Sequence, residues 1–175
     1  SKTYLFKLAS PGLKVVLLVE SGSRIHTTAF SRDKSNIPSG FVMKLRKHVR
    51  TRRLERIVQL GADRVVDMTF GSGEAAYHII VELYDRGNVV LTDRTYTMLS
   101  LLRSHRHDST ALAAMAVGLR YPVDQVPGLR RPDIGVLRSV LEEGVVSGDA
   151  GLKTHLSGRT DVGPILVEHC LEKAQ

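Results

Sequence analysis

The densest grouping of chemically capable side chains is the run Leu83-Tyr84-Asp85-Arg86-Gly87-Asn88, which sets a carboxylate, a guanidinium and a carboxamide at one strand end. Asp85 is an acceptor, Arg86 a planar fork of donors suited to a phosphate or a base edge, and Asn88 both donor and acceptor. The same residues also make an ordinary hairpin turn, with Gly87 at positive φ and Asp85 paired to a nearby arginine. Residue types alone leave both readings open.

A second grouping is electrostatic. Between Lys44 and Arg56 seven Lys and Arg stand against one Glu, so +6 of the formal +7 net charge falls in one segment. Lys44, Arg46, Lys47, Arg50 and Arg53 are candidate contacts for a phosphate backbone, although a solvated helix face carries the same pattern. A third candidate is Gly163, in Asp161-Val162-Gly163-Pro164, where a proline near the first helical position predicts a helix whose free amides can hold a phosphate. Asp161 as a plain helix cap explains those residues equally well.

Other chemistries find little support. His105 with His107, and His169 with Cys170, lack zinc-ligand spacing. Gly71-Ser72-Gly73-Glu74 lacks the lysine and the following helix of a nucleotide-hydrolysing loop. The single cysteine, Cys170, cannot form an internal disulfide, and its position on the apolar side of a terminal helix predicts a buried thiol. No catalytic residue, metal or cofactor is therefore expected. With no leader segment, the chain reads as intracellular. No membrane partner is expected either, because no apolar run approaches the roughly 18 residues of a span; Val15 to Val19 is followed at once by Glu20. Opening at Ser1 and entering a strand immediately, the chain reads as part of a longer protein.

The elements that position these groups follow from periodicity. Strand signals at Thr3 to Leu8, Lys14 to Val19 and Arg24 to Thr28 predict a three-strand meander. Ser39 caps a predicted helix from Gly40 to about Arg53, with Phe41, Val42, Leu45 and Val49 on its apolar stripe, Arg52 within that stripe and Arg53 at its edge. Strands return at Arg56 to Leu60, Arg64 to Phe70, Tyr77 to Leu83, Val89 to Thr92 and Tyr96 to Leu102. Tyr77, Ile79, Val81 and Leu83 alternate with His78, Ile80, Glu82 and Tyr84, which predicts one buried face and one partly covered face in a sandwich. The expected organisation is a β-sandwich over residues 1–104, a linker over 105–132 with a short Ala-rich helix from Ala111 to Val117, and an all-helical domain over 133–175. In the last of these, Ile134, Leu137, Val140, Leu141, Leu152, Leu156, Ile165, Leu166, His169 and Cys170 recur at helical spacing.

Several separate motifs, in order along nearly the whole chain, resemble the N-terminal module of the NFACT family. They are Glu20 to Thr28, Pro38 to His48, Gly61 to Asp67, Glu82 to Asn88 and Gly163 to Cys170. The resemblance implies an α+β fold like formamidopyrimidine-DNA glycosylase: a β-sandwich with one inserted basic helix, then a helix-two-turns-helix domain. It implies a binding module, not an enzyme, of ribosome quality control, cytoplasmic with the nucleus as a second compartment. Its partners would be tRNA, the large ribosomal subunit carrying peptidyl-tRNA and, through the full-length protein, a listerin-type E3 ubiquitin ligase. The family's Asp-Arg pair that supports tRNA-dependent C-terminal tailing of stalled chains falls on Asp85 and Arg86, with Asn88 beside them. The family's opening segment with its acidic residue and its long coiled coil are absent from this sequence. The alternative is a DNA-binding or DNA-processing domain of glycosylase or nuclease type, but the N-terminal proline and neighbouring glutamate of that chemistry are also absent.

Overall fold

Alternating β-branched runs punctuated by glycine turns build two antiparallel sheets. The computed structural model describes residues 3–30, 37–61, 63–104, 115–125, 133–146, 152–154, 156–157 and 163–174. β1 (Thr3–Ser10), β2 (Leu13–Glu20) and β3 (Arg24–Thr27) form one sheet in that order. β4 (Leu54–Gln59), β5 (Val65–Phe70), β6 (Tyr77–Glu82), β7 (Asn88–Asp93) and β8 (Met98–Leu101) form the other, also in chain order. Helix α1 (Gly40–Val49) connects the two sheets. Every hairpin is local, so each strand pairs with its sequence neighbour.

Leu17 and Val19 from the first sheet, Leu45 from α1, and Met68, Phe70, Ile79, Val81, Val89 and Leu91 from the second share one core. Burying a side chain of this size contributes about 1.5–3 kcal/mol, so this shared layer is what holds sheet to sheet and helix to both. The opposite face of the larger sheet carries a second core of Val65, Ile80, Val90 and Met98, covered by Met115 and Tyr121. That cover is why β6 is buried on both faces from His78 to Glu82, where alternation alone predicts one face only partly covered.

The covering segment corrects the sequence reading. Residues 115–117, expected at the end of an Ala-rich helix within a linker, are not helical. Gly118 takes φ 90°, Met98 donates its amide to the Leu119 carbonyl at 2.8 Å, and Tyr121 donates to the Tyr96 carbonyl at 2.8 Å. Open backbone groups around β8 thus receive partners that a helix would have kept to itself. The rest of the expected helix, Ala111 to Ala114, lies outside the described residues, as do His105, His107 and Asp161.

The chain divides into two compact units, one of residues 1–60 and 64–125, the other of 61–63 and 126–175. In the second, α2 (Ile134–Val146), the helical residues 152–154 and 156–157, and α3 (Pro164–Lys173) enclose Val140, Leu156 and Val167. Leu137, Leu141, Leu152 and Leu171 pack around them. The apolar stripe of α3 is narrower than its sequence predicts: Val167 and Leu171 point inward, while Ile165, Leu166 and His169 are exposed. Cys170 is exposed too, which overturns its expected burial, because at 100° per residue it stands to one side of the Val167–Leu171 row. Among the described residues, no helix is long and apolar enough to cross a membrane. The architecture is α+β, with mostly sheet.

Candidate functional site

Helix α1 starts where Ser39 Oγ accepts the Val42 amide at 3.3 Å. It stops at Val49, earlier than expected, because Arg50 turns extended (φ −62°, ψ 135°) and Thr51 takes φ 67°. Arg52 locks this exit: its Nε donates to the His48 carbonyl at 2.6 Å, its Nη1 to the Ala75 carbonyl at 2.8 Å, and its guanidinium lies 4.8 Å from the Tyr77 ring centre. Arg53 is therefore not part of the helix face. It leads into β4, exposed, with Nε 3.7 Å from Glu55, a separation at which a surface ion pair contributes little.

Lys44, Arg46 and Lys47 form the helix face expected of them, and Arg50 follows at the C-cap. Leu45 is buried, while Lys44, Arg46, Lys47 and Arg50 are exposed. Lys44 Nζ reaches the Leu99 carbonyl at 3.3 Å. Among the described residues, no hydrogen bond or ion pair engages the side chains of Arg46, Lys47 or Arg50. Cations near a helix C-terminus interact favourably with the backbone dipole, which explains why Arg46 and Lys47 are tolerated together without a carboxylate. His48 reports the crowding. Its partial burial first, and then the charges of Lys47, Arg52 and Lys44, hold it below the ordinary histidine pKa.

The strand-end turn splits the three residues that the sequence groups. Asp85 and Arg86 are exposed, Asp85 with φ 48°, and among the described residues neither side chain has a hydrogen bond or ion pair. The local Asp–Arg pairing of the plain-turn reading does not form. Asn88, in contrast, is fully buried. Its Nδ2 donates to the Arg103 carbonyl at 3.0 Å, and its Oδ1 accepts the amides of Val89 at 3.0 Å and Arg103 at 3.1 Å. Leu102 already donates its amide to the Val89 carbonyl at 2.9 Å, so the Asn88 carboxamide extends the β7–β8 pairing by one more step. Asn88 belongs to the framework beneath the turn and offers no surface to a ligand.

Gly163 stands at the N-cap of α3 with φ −63°, ψ 158° and Pro164 behind it. The Leu166 and Val167 amides both donate to its carbonyl at 3.1 Å, so the first turn is closed in the usual way. It lies in the second unit, whereas the other candidates lie in the first.

Sequence reading misses a polar cluster around the second core. Asp67 Oδ1 and Oδ2 accept from His78 Nδ1 at 3.0 and 3.1 Å, and Tyr96 donates its hydroxyl to Asp67 Oδ2 at 2.9 Å. The His78 and Tyr96 rings stack 4.3 Å apart. Burial, then the Asp67 carboxylate, push the Tyr96 phenol up to about 12. These groups satisfy one another, as buried polar groups must, and so tie β5, β6 and the turn before β8 together. Nearby, Tyr121 donates its hydroxyl to Glu82 at 3.0 Å. No local pattern signals the cluster, since its members come from three separate segments. Among the described residues no three His, Cys, Asp or Glu side chains gather as metal ligands.

Residues 2–161 match the family described as NFACT N-terminal and middle domains. The ribosome quality control complex subunit NEMF of Homo sapiens is 49% identical over 173 residues, which cover 98% of this chain and 16% of that protein. The NEMF homolog of Drosophila melanogaster is 46% identical over 174 residues, covering 98% and 17%. The Rqc2 homolog RqcH of Bacillus subtilis is 27% identical over 185 residues, covering 97% and 32%. The chain thus spans about a sixth of the length of the two animal relatives. Among solved structures, the N-terminal domain of the fibronectin-binding protein PavA from Streptococcus pneumoniae superimposes with a TM-score of 0.73 at 19% identity, covering 99% of this chain and 69% of that one. At that identity the likeness is one of fold.

Proposed function

This chain belongs to the NFACT family, and on that premise we propose that it is an RNA-binding module of a ribosome quality control factor, binding and not catalysing. In this reading the exposed face of α1 with its C-cap, chiefly Arg46, Lys47 and Arg50 with Lys44, contacts RNA phosphates and sets the chain on its target. The Asp85–Arg86 turn then discriminates tRNA. Arginine suits that task because its fork can engage a phosphate or a guanine edge at two points, while aspartate can orient the fork or accept from a base amino group. The proposed target is the large ribosomal subunit with peptidyl-tRNA, in the cytoplasm and with the nucleus as a second compartment. Tailing of stalled chains and recruitment of a listerin-type ubiquitin ligase would draw on the longer protein. We also read the sandwich and the helices after it as the glycosylase-like plan, with a helix-two-turns-helix second domain and a secondary phosphate contact at Gly163; the order of strands and then helices supports this.

One observation carries the proposal: Arg46 and Lys47 of α1, Arg50 at its C-cap and both side chains of the turn are exposed and uncommitted among the described residues. The test is tRNA binding by fluorescence anisotropy across a salt series. Lys47→Ala with Arg50→Ala is expected to flatten the log–log salt slope by roughly 0.7–0.9 for each phosphate that is no longer neutralised. Arg86→Ala is expected to weaken tRNA more than an unrelated RNA of equal length. An unchanged slope and an unchanged preference together would overturn the reading.

A further inference from the structure

Little within the Asp85–Arg86 turn holds it in shape. Asp85 occupies left-handed backbone at φ 48° and Gly87 at φ 63°, and the turn's own closing bond runs from the Gly87 amide to the Tyr84 carbonyl at 2.8 Å. Among the described residues, its two exposed side chains add no hydrogen bond or ion pair. For a reader of RNA this is a difficulty, because a guanidinium discriminates only when its backbone presents it in one orientation.

The support comes from two distant segments. The turn between β2 and β3 presses Gly22 against the backbone: its amide donates to the Glu82 carbonyl at 3.0 Å. A Cβ on Gly22 would lie 2.8 Å from the Asp85 oxygen and 2.9 Å from the Arg86 carbonyl carbon, and one on Gly87 would overlap the Gly22 backbone. Beyond the end of β8, Arg103 Nη1 donates both to Ser21 Oγ at 2.8 Å and to the Gly87 carbonyl. One guanidinium nitrogen thus joins the supporting turn to the reading turn. Arg103 is itself anchored, since the Asn88 carboxamide grips both its backbone amide and its carbonyl.

The Arg103 Nε is buried and, among the described residues, has no hydrogen-bond partner. An orphaned buried donor costs about 1–3 kcal/mol, which offsets part of what the two Nη1 hydrogen bonds contribute. What the arginine contributes is a bridge between two backbones that share no strand pairing.

We infer that Arg103 is a positioning residue for RNA discrimination, bracing the Asp85–Arg86 turn against Ser21 and Gly22 so that Arg86 is presented in a single orientation. The inference rests on the proposed role of that turn. It makes the reading element a composite of three segments, with Arg103 acting on RNA only through Arg86.

The test compares the 175-residue chain with Arg103→Met, Arg86→Ala, the double variant and Ser21→Ala. Affinity for tRNA is measured against an unrelated RNA of equal length across a salt series, and each variant is first checked by thermal melting. Arg103→Met keeps an unbranched stem and removes the donors. It is expected to lower the tRNA preference by roughly fivefold or more, the discrimination that a well-aligned arginine contact carries. The salt slope, set by α1, stays unchanged, and the double variant loses no more preference than Arg86→Ala alone. A role confined to stability would weaken both RNAs alike and add to the Arg86→Ala loss, which overturns the inference. Where Arg103→Met fails to fold, Ser21→Ala decides: a reduced preference supports the brace and an unchanged one overturns it. If Arg86→Ala loses preference while Arg103→Met keeps it, only the inference fails. If Arg86→Ala keeps full preference, the role of the turn fails and the inference falls with it.

Discussion

Asn88→Ala separates a framework role from a ligand-binding role at a residue whose type suits both. The substitution removes three hydrogen bonds of 3.0, 3.0 and 3.1 Å and strands the amides of Val89 and Arg103 and the carbonyl of Arg103. The Val89 amide is buried, and leaving such a donor without a partner costs about 1–3 kcal/mol. The two Arg103 groups are only part-buried, so water replaces some of their loss and each costs nearer to about 0.5 kcal/mol. The total is about 3 kcal/mol, which for a unit of this size lowers Tm by on the order of 10 °C. Urea denaturation followed by the sheet signal in circular dichroism measures it, with Arg86→Ala as the contrast. That side chain is exposed and uncommitted among the described residues, so its loss should move stability by less than about 0.5 kcal/mol. A cost below about 1 kcal/mol for Asn88→Ala would falsify the framework assignment and make Asn88 a ligand-binding candidate again.

Other outcomes follow from the same geometry. Leu45 is the buried residue of α1 and its link to the shared core, so Leu45→Ala should cost about 2–5 kcal/mol in denaturant unfolding; a surface-like value would mean that the helix is not anchored as described. The Tyr96 phenol, raised from 10.0 to about 12, supports the fold fully below pH 10, and that support is lost as pH climbs to about 12. An ultraviolet alkaline titration should therefore show a late-ionising tyrosine that Tyr96→Phe removes; an unchanged late step would count against the Asp67–Tyr96 bond. The folded-state pKa of His48 lies below its unfolded value, so stability falls as pH drops through the histidine range. Bound RNA phosphates should neutralise Lys44 and Lys47 and move the His48 titration upward in NMR. A midpoint that RNA leaves in place would argue against phosphates on this face.

Local patterning was enough for most of the elements. Period-two runs and glycine turns placed all eight described strands within about two residues of their ends, and the stripe through Phe41, Leu45 and Val49 set the cationic face of α1 outward. These features depend on neighbours within a turn or a hairpin, and a sequence shows such neighbours directly. The family is legible for a related reason, since several ordered motifs constrain one another along the chain.

Where long-range partners compete with local preference, the sequence misled. Helix α1 ends four residues early because Arg52, besides the local His48 carbonyl, has a distant acceptor at Ala75 and the Tyr77 ring beneath it, which only the packed start of β6 and the turn before it supply. Residues 115–117 favour a helix by composition, yet the open backbone around β8 and the apolar face of the larger sheet draw this segment into the second core. The candidate turn shows the division most sharply. Sequence alone brought Asp85, Arg86 and Asn88 together, because they are adjacent in the chain. Tertiary structure sent Asn88 inward and enlisted Ser21, Gly22 and Arg103 from far along the chain. Hydrogen-bond partners separated by tens of residues leave no periodic trace, so which side chains meet RNA and which hold them in place is decided only when the sheets pack.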